Sequence, residues 1–415
     1  MQSRSRTSDV VVVGGGIVGL AIAHRLCREG LTTTLVERGT VGREASWAAA
    51  GYLTFQGSST RPGPRLDLTR ASFEMYPAWL DELAESTPGE TGFWRCGLFE
   101  LCLTEAEVVE AQARVAWQRA AGYQAEWLDA AGTWKRFPHL ASSLPVRGGL
   151  LLPEVAQVRP PRLLKTLASA AVHRGVQIFE QSPVTAIVRS GDRVAGVVLA
   201  DGSRLDAPVV INAAGSWASQ LSPEMAIMPV KPIKGQIVLL EVSSLPTREI
   251  LVSSQGSLYP RADRRVLLGA TVEDAGYDER VTLDALGTLV QQAMTLVPML
   301  KDATLAGAWA GLRPFSHDNL PYLGAVPGLE GAYAATGHYR SGILLAPITA
   351  RLIADIIVRR SPVLPLEPYA LTRLLDTETA TAPPAPRPVT TPPLAVPEQH
   401  RGRTAVRVAS TDTGG

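Results

Sequence analysis

A chain of 415 residues, 46% hydrophobic and 19% charged, has the material for a large soluble core, and its length predicts two domains rather than one. A formal net charge of +1 excludes the strongly charged surface that nucleic acid or an anionic membrane requires, so neither is an expected partner. The three cysteines, Cys27, Cys96 and Cys102, lack metal-ligand spacing and form no even set, so no metal is expected and a cytoplasmic protein with reduced thiols is.

The chain begins with its most informative stretch. Asp9 to Val13 is a β-branched run typical of a strand buried on both faces. It enters Gly14-Gly15-Gly16-Ile17-Val18-Gly19, a G-x-G-x-x-G, followed by the helix-forming Leu20 to Leu26 and a second strand, Leu31 to Val36, ending on Glu37. In this order each glycine has a task. Gly14 permits the tight turn, Gly16 admits a pyrophosphate to the backbone, and Gly19 lets the helix pack on the sheet. The helix amino terminus, with Ile17 and Val18, offers N–H groups to phosphate, and Glu37 stands where an acid accepts hydrogen bonds from a ribose. An acid there favours FAD or NAD over NADP. The bland alternative is a βα turn with spare glycines and a solvated Glu37.

Arg38 to Leu53 reads as a loop of small residues without helical amphipathicity, suited to close approach of a flat ligand. Helices are expected over 66–83, 105–121, 160–174, 282–296 and 343–359, and strands over 97–103, 176–179, 208–212 and 332–335. Val184 to Arg189 and Val194 to Leu199 form a hairpin, with a turn at Asp201-Gly202. Segments 229–242, 251–260 and 266–270 read as strands of one largely antiparallel sheet. The fold expected is therefore α/β, a Rossmann-like dinucleotide domain (8–90, 145–225 and 310–372) through which an antiparallel substrate domain (91–144 and 226–309) is inserted. Thr377 to Gly415, rich in Pro and Thr, is expected to be a disordered tail. Val10 to Ala23 is broken by three glycines, and Ile343 to Val358 carries Arg351 and Asp355 and is short for a bilayer, so neither is an export or membrane segment.

The G-x-G-x-x-G with Glu37, the Glu44-Ala45-Ser46-Trp47-Ala48-Ala49-Ala50-Gly51 loop, Gly311-Leu312-Arg313-Pro314 and Gly337-His338-Tyr339-Arg340-Ser341-Gly342 together resemble the D-amino-acid-oxidase-like flavoproteins. Within them the chain, over roughly 8–372, is most similar to the bacterial glycine oxidases of thiamine biosynthesis. The resemblance implies noncovalent FAD, an amino-acid substrate and O₂. Gly14, Gly16, Ile17, Val18, Gly19, Glu37, Arg38 and Ser46 would hold the nucleotide. Ala49, Ala50 and Gly51 would lie near the isoalloxazine, Val184 near the adenine, and Ala214, Gly215 and Trp217 over the cofactor. His338, Arg340, Ser341, Gly342 and Ile343 would lie beside the flavin ring. Arg313 would pair with the substrate carboxylate. A guanidinium suits that role, since it binds a planar carboxylate through two parallel charge-assisted hydrogen bonds. The helix after Gly342, its amino terminus aimed at the ring, would stabilise negative charge there. His338 itself reads as a hydrogen-bonded structural histidine, and Trp47, Trp217 and Cys27 as packing residues.

The implied reaction is oxidative deamination of glycine, or of small, N-methyl or D-amino acids. A hydride passes to flavin N5, and the imine hydrolyses to glyoxylate and ammonia as O₂ becomes H₂O₂, the product serving thiamine thiazole synthesis. The protein supplies position and field, so no general base is sought. One departure stands out. Where those oxidases place an aromatic that meets the substrate, this chain has Ser257, and Tyr259, on the same strand face, is the substitute. The rival readings are a sarcosine, D-amino-acid or proline oxidase or dehydrogenase, and a non-catalytic or RNA-modification-associated FAD module. Homo-oligomerisation is left open.

Overall fold

The computed structural model describes residues 6–57, 62–87, 89–223, 225 and 228–377. The tail expected from Thr377 lies, past Thr377 itself, outside them. Two large sheets organise the rest. In the first, the strands run in the order Gln177–Phe179, Thr33–Val36, Val10–Val13, Val209–Asn212, Ala332–Thr336 and Tyr322–Ala325. The first five are parallel to their neighbours and the last is antiparallel. Alternation along Val10–Val13 explains its uninterrupted apolar run. Val10 and Val12 enter a core shared with the helices Ile17–Arg28, Pro64–Ser86, Pro160–His173 and Gly342–Ile357. Val11 and Val13 enter a second core, under a smaller sheet that includes Arg193–Leu199 and Arg204–Asp206. Both faces being covered, all four valines are buried.

The second sheet has eight strands, ordered Thr304–Ser316, Val230–Glu241, Arg265–Gly269, Gly256–Arg261, Ile250–Ser253, Leu98–Cys102, Gly148–Leu152 and Glu126–Asp129. Every pair is antiparallel except Ile250–Ser253 with Leu98–Cys102, so the sheet is largely antiparallel, as expected. One face carries Phe99, Leu251, Leu258, Leu268 and Val238 against the helix Leu283–Leu296. The opposite face looks towards the first sheet.

Several elements differ from their sequence reading. The segment 251–260 is a hairpin, Ile250–Ser253 and Gly256–Arg261, rather than one strand; Gly256, at φ +140°, leads out of the turn. The loop expected from Arg38 to Leu53 contains one helical turn, Ala45–Ala48. Thr304–Ser316 is a 13-residue strand paired along nearly its full length with Val230–Glu241. Residues 148–152, grouped from sequence with the dinucleotide part, pair in the eight-stranded sheet. A short three-stranded sheet, Tyr52–Leu53, Ala156–Gln157 and Trp94–Arg95, stitches the cofactor loop to the chain entering the helix at Pro160.

Candidate active site

The carboxyl ends of Val10–Val13 and Thr33–Val36 open into a cavity of about 790 Å³ between the two sheets. Its nucleotide end is built by the glycine loop. Gly14 adopts φ +110°, and a Cβ on Gly19 would lie 1.9 Å from the Gly14 carbonyl oxygen, so neither position admits a side chain. The helix Ile17–Arg28 has no side-chain cap from Gly16, and Ser46 Oγ accepts from the Ile17 N–H at 3.0 Å. Gly14, Gly16, Ile17, Val18 and Ser46 all line the cavity, whereas Gly19 packs behind it. A loop that admits no Cβ at 14 or 19, ahead of a helix whose first turn opens on the cavity, fits a pyrophosphate.

Glu37 has a second task that the sequence reading did not assign. Its side chain lines the cavity, but Oε2 accepts from Gly15 N–H at 2.7 Å and Oε1 from Gly39 N–H at 2.8 Å. The carboxylate therefore braces the glycine loop as well as facing the place a ribose would occupy. Arg38 pairs with Glu44 at 2.7 Å, and its guanidinium lies 3.5 Å from the Trp217 ring centre; Tyr277 packs against the same indole at 5.5 Å. Val184, Ala214, Gly215 and Trp217 share this wall.

At the other end Ala49, Ala50 and Gly51 face Tyr259, Arg313, His338, Arg340, Gly342 and Ile343 across the cavity. The loop is held from the eight-stranded sheet and from the chain that follows Ala156–Gln157. Trp309 Nε1 donates to the Ala48 carbonyl at 3.0 Å, and Val158 N–H donates to the Gly51 carbonyl at 2.8 Å. Arg261, 3% exposed, donates from Nη2 to the Ala50 carbonyl and from Nη1 to Gln157 Oε1 at 2.6 Å and the Val158 carbonyl at 2.9 Å. Burial lowers the pKa of Arg261 to about 9. No sequence motif pointed to Arg261; the signal was a charge set in a strand after Tyr259 and Pro260.

Arg313 projects from Thr304–Ser316. Its Nη1 donates to the Lys234 and Thr271 carbonyls, both at 3.1 Å, and no carboxylate lies within ion-pair distance among the described residues. Burial, then the neighbouring Arg340, lowers its pKa. Nε and Nη2 retain three N–H donors, the edge that binds a carboxylate side-on. Arg340 is exposed, its guanidinium 5.1 Å from the Tyr339 ring centre. Tyr259 packs on Tyr52 at 5.6 Å, and burial raises its pKa. His338 lines the cavity, but its Nε2 is taken by Thr349 Oγ1 at 3.0 Å, and burial holds its pKa down at about 3, so the ring is neutral. That agrees with its structural reading. Ser341 lies off the cavity wall and accepts from Arg65 Nη2 at 3.2 Å. The amino terminus of Gly342–Ile357 opens on the ring end and favours negative charge there. Among the described residues no His, Cys, Asp and Glu cluster can hold a metal ion, and no helix is long and apolar enough to cross a membrane.

A parallel sheet with a glycine-loop helix, opposed across one cavity by an antiparallel sheet carrying an unpaired guanidinium, defines a flavin-dependent oxidoreductase of two-domain build. The chain belongs to the FAD dependent oxidoreductase family DAO, whose model matches residues 9–356, and its cofactor is FAD. It is 34% identical over 368 residues to the glycine oxidase of Geobacillus kaustophilus, covering 88% of this chain and 97% of that one. The crystal structure of glycine oxidase from the same organism superposes with a TM-score of 0.84 at 33% identity, over 89% of this chain and 99% of that one. A bifunctional protein ThiO/ThiG of Synechocystis sp. is 37% identical over 360 residues, 85% of this chain and 52% of that protein.

Proposed function

We propose that this protein oxidises glycine with O₂ and water to glyoxylate, ammonia and H₂O₂, and that the product serves the thiazole branch of thiamine synthesis. The observation that carries this reading is Arg313, a half-buried guanidinium on the cavity wall, tied to two carbonyls and facing no carboxylate among the described residues. A guanidinium held partly out of solvent without a counter-charge is costly, and an α-amino acid carboxylate supplies one. The glycine oxidase relatives support the same substrate class. FAD, held by the Gly14–Gly19 loop and the 45–51 loop, would supply the two-electron redox chemistry between the substrate α-carbon and O₂. The chain's own part is positional. Arg313 fixes the carboxylate, and Tyr259 with Tyr52 walls one side of the substrate. The positive charges of Arg313 and Arg340 disfavour a third cation, so the bound amine is held neutral with its lone pair available. In this reading the dinucleotide part comprises 8–90, 145–225 and 310–372, and the substrate part 91–144 and 226–309, with the 148–152 strand contributed to the substrate sheet.

The test is peroxide release from the flavin-loaded protein with glycine, sarcosine, D-alanine and D-proline, together with glyoxylate formation from glycine. Turnover of glycine is expected. Arg313→Ala should raise KM for glycine by two orders of magnitude or more, on the order of 3–5 kcal/mol for a broken buried pair, with the flavin spectrum kept. No turnover with any of the four would sink the reading in favour of a non-catalytic FAD-binding subunit.

A further inference from the structure

Val230–Glu241 and Thr304–Ser316 place two glycines directly opposite each other, Gly235 and Gly311, in the middle of a long antiparallel pair. Glycine weakens a strand interior, so each needs a reason. For Gly311 the reason is the cofactor loop, since a Cβ there would lie 2.5 Å from the Ala48 Cβ. Gly235 does not touch that loop, and its backbone lies outside the left-handed region, so conformation does not require glycine. What stands over it is one side chain. A Cβ at 235 would lie 2.0 Å from Arg313 Nη2, and 2.3 Å from both Cζ and Nη1. Arg313 is two residues beyond Gly311, on the same strand face, and reaches diagonally across to Gly235.

We propose that Gly235 is a positioning residue for substrate carboxylate recognition: its bare backbone is the floor on which the Arg313 guanidinium lies flat. This rests on the reading of Arg313 as the carboxylate-binding group. The same backbone turns the floor into a mould, because the Lys234 carbonyl, one peptide before Gly235, accepts from Arg313 Nη1. The second acceptor, the Thr271 carbonyl, belongs to a segment fastened to the same strand. Lys234 and Glu273 exchange backbone hydrogen bonds at 3.0 Å, and Lys234 Nζ, on a side chain 1% exposed, lies 3.5 Å from Asp278 and 3.8 Å from Glu273. With Nη1 fixed at both hydrogens, the Nε and Nη2 edge can present to a carboxylate in only one orientation. A methyl at 235 lifts the guanidinium from both carbonyls and turns that edge away.

The test is a double-mutant cycle on the flavin-loaded protein. The probe is acetate, titrated by its perturbation of the flavin absorbance, with KM and kcat for glycine as the second readout. Gly235→Ala is expected to weaken acetate binding and raise glycine KM at least tenfold, with kcat within fivefold of wild type and flavin content unchanged. In the Arg313→Ala background, where the space above residue 235 is empty, the same substitution is expected to change acetate binding less than twofold. Loss of folding by Gly235→Ala alone, relieved by Arg313→Ala, supports the proposal equally. An acetate affinity unchanged in the single variant overturns it. So does a loss of equal size, or a failure to fold, with and without the arginine. If Arg313→Ala itself leaves acetate binding unchanged, the carboxylate role of Arg313 falls, and the proposal with it.

Discussion

Replacing Arg261 with methionine keeps the length of the side chain and removes its charge and donors. Three acceptors lose their partner: the Ala50 carbonyl, the Val158 carbonyl and Gln157 Oε1. An orphaned buried acceptor costs about 1–3 kcal/mol, and a broken buried charged network about 3–5 kcal/mol in all. Methionine recovers part of the packing, because the site is 3% exposed and the new side chain is apolar and flexible. About 3–5 kcal/mol is therefore expected, which at 2–4 °C per kcal/mol lowers Tm by roughly 6–20 °C. The cost does not fall evenly over the fold. Ala50 lines the cavity in the loop that the proposed site sets against the flavin ring, so flavin affinity should fall at least tenfold as well. Thermal unfolding followed by circular dichroism, and flavin retained after desalting, read the two effects separately. A Tm within 2 °C of wild type and full flavin retention would refute the view that this guanidinium holds the loop in place.

Acid should destabilise the protein through two buried histidines. Burial lowers His338 to about 3; burial and then Arg174, Arg28 and Arg25 lower His24 to about 4, and His24 Nε2 accepts from Arg174 Nε at 3.0 Å. Each is neutral when folded and titrates near 6.5 when unfolded, so its contribution is complete above pH 6.5. It declines as pH falls from 6.5 towards the folded values, by about 2 kcal/mol each at pH 5. His338→Gln should reduce the fall in Tm between pH 7 and pH 5 by about half, and an unchanged fall would remove His338 as a cause. Ser257→Tyr should discriminate against larger substrates. Ser257 faces the cavity from Gly256–Arg261, opposite Val252, and a tyrosine there narrows the cavity. The kcat/KM ratio of glycine over N-ethylglycine is expected to rise at least tenfold, and an unchanged ratio would place residue 257 outside the substrate wall.

The dinucleotide half was legible because its signals are local. A strand, a glycine turn, a helix and an acid within thirty residues follow one another in the order that the binding geometry needs. The eight-stranded sheet was harder to read for the opposite reason. Thr304–Ser316 reads as a string of small residues, and its identity as a strand comes from pairing with Val230–Glu241, about seventy residues earlier. Gly148–Leu152 has no alternation because both its faces are buried. The site divides the same way. Arg313 could be named from its Gly-Leu-Arg-Pro context, but nothing in the sequence says that Arg261 reaches Ala50 or that Gly235 lies under Arg313. Those are contacts between segments 211 and 78 residues apart in the chain, fixed only once the two sheets face each other. Glu37 was read through its position and given one role where its two oxygens also serve the glycine loop.

The two ends of the cavity are braced by different halves of the molecule, and this has an energetic consequence. The pyrophosphate loop is tied down from within its own sheet, by Glu37 and by the Gly14 N–H to the Val36 carbonyl at 2.8 Å. The loop at the other end is tied in addition from the other sheet, through Trp309 to Ala48 and Arg261 to Ala50. A single dinucleotide lying along both loops is therefore in contact with both halves at once. Binding that needs both loops in place stabilises the docked arrangement over the undocked one, by RT ln(1 + [L]/Kd) for a ligand that binds only the former. Losing either bridge then weakens cofactor and docking together, since they draw on the same contacts. Arg313 completes the coupling. It stands on the second sheet, is held by Lys234 and Thr271 of that sheet's own strand and flanking segment, and lines the cavity between the two sheets. In the proposed function, carboxylate recognition is then rigid with respect to one half and registered to the flavin by the other, which is what hydride transfer over a few ångströms demands of a site.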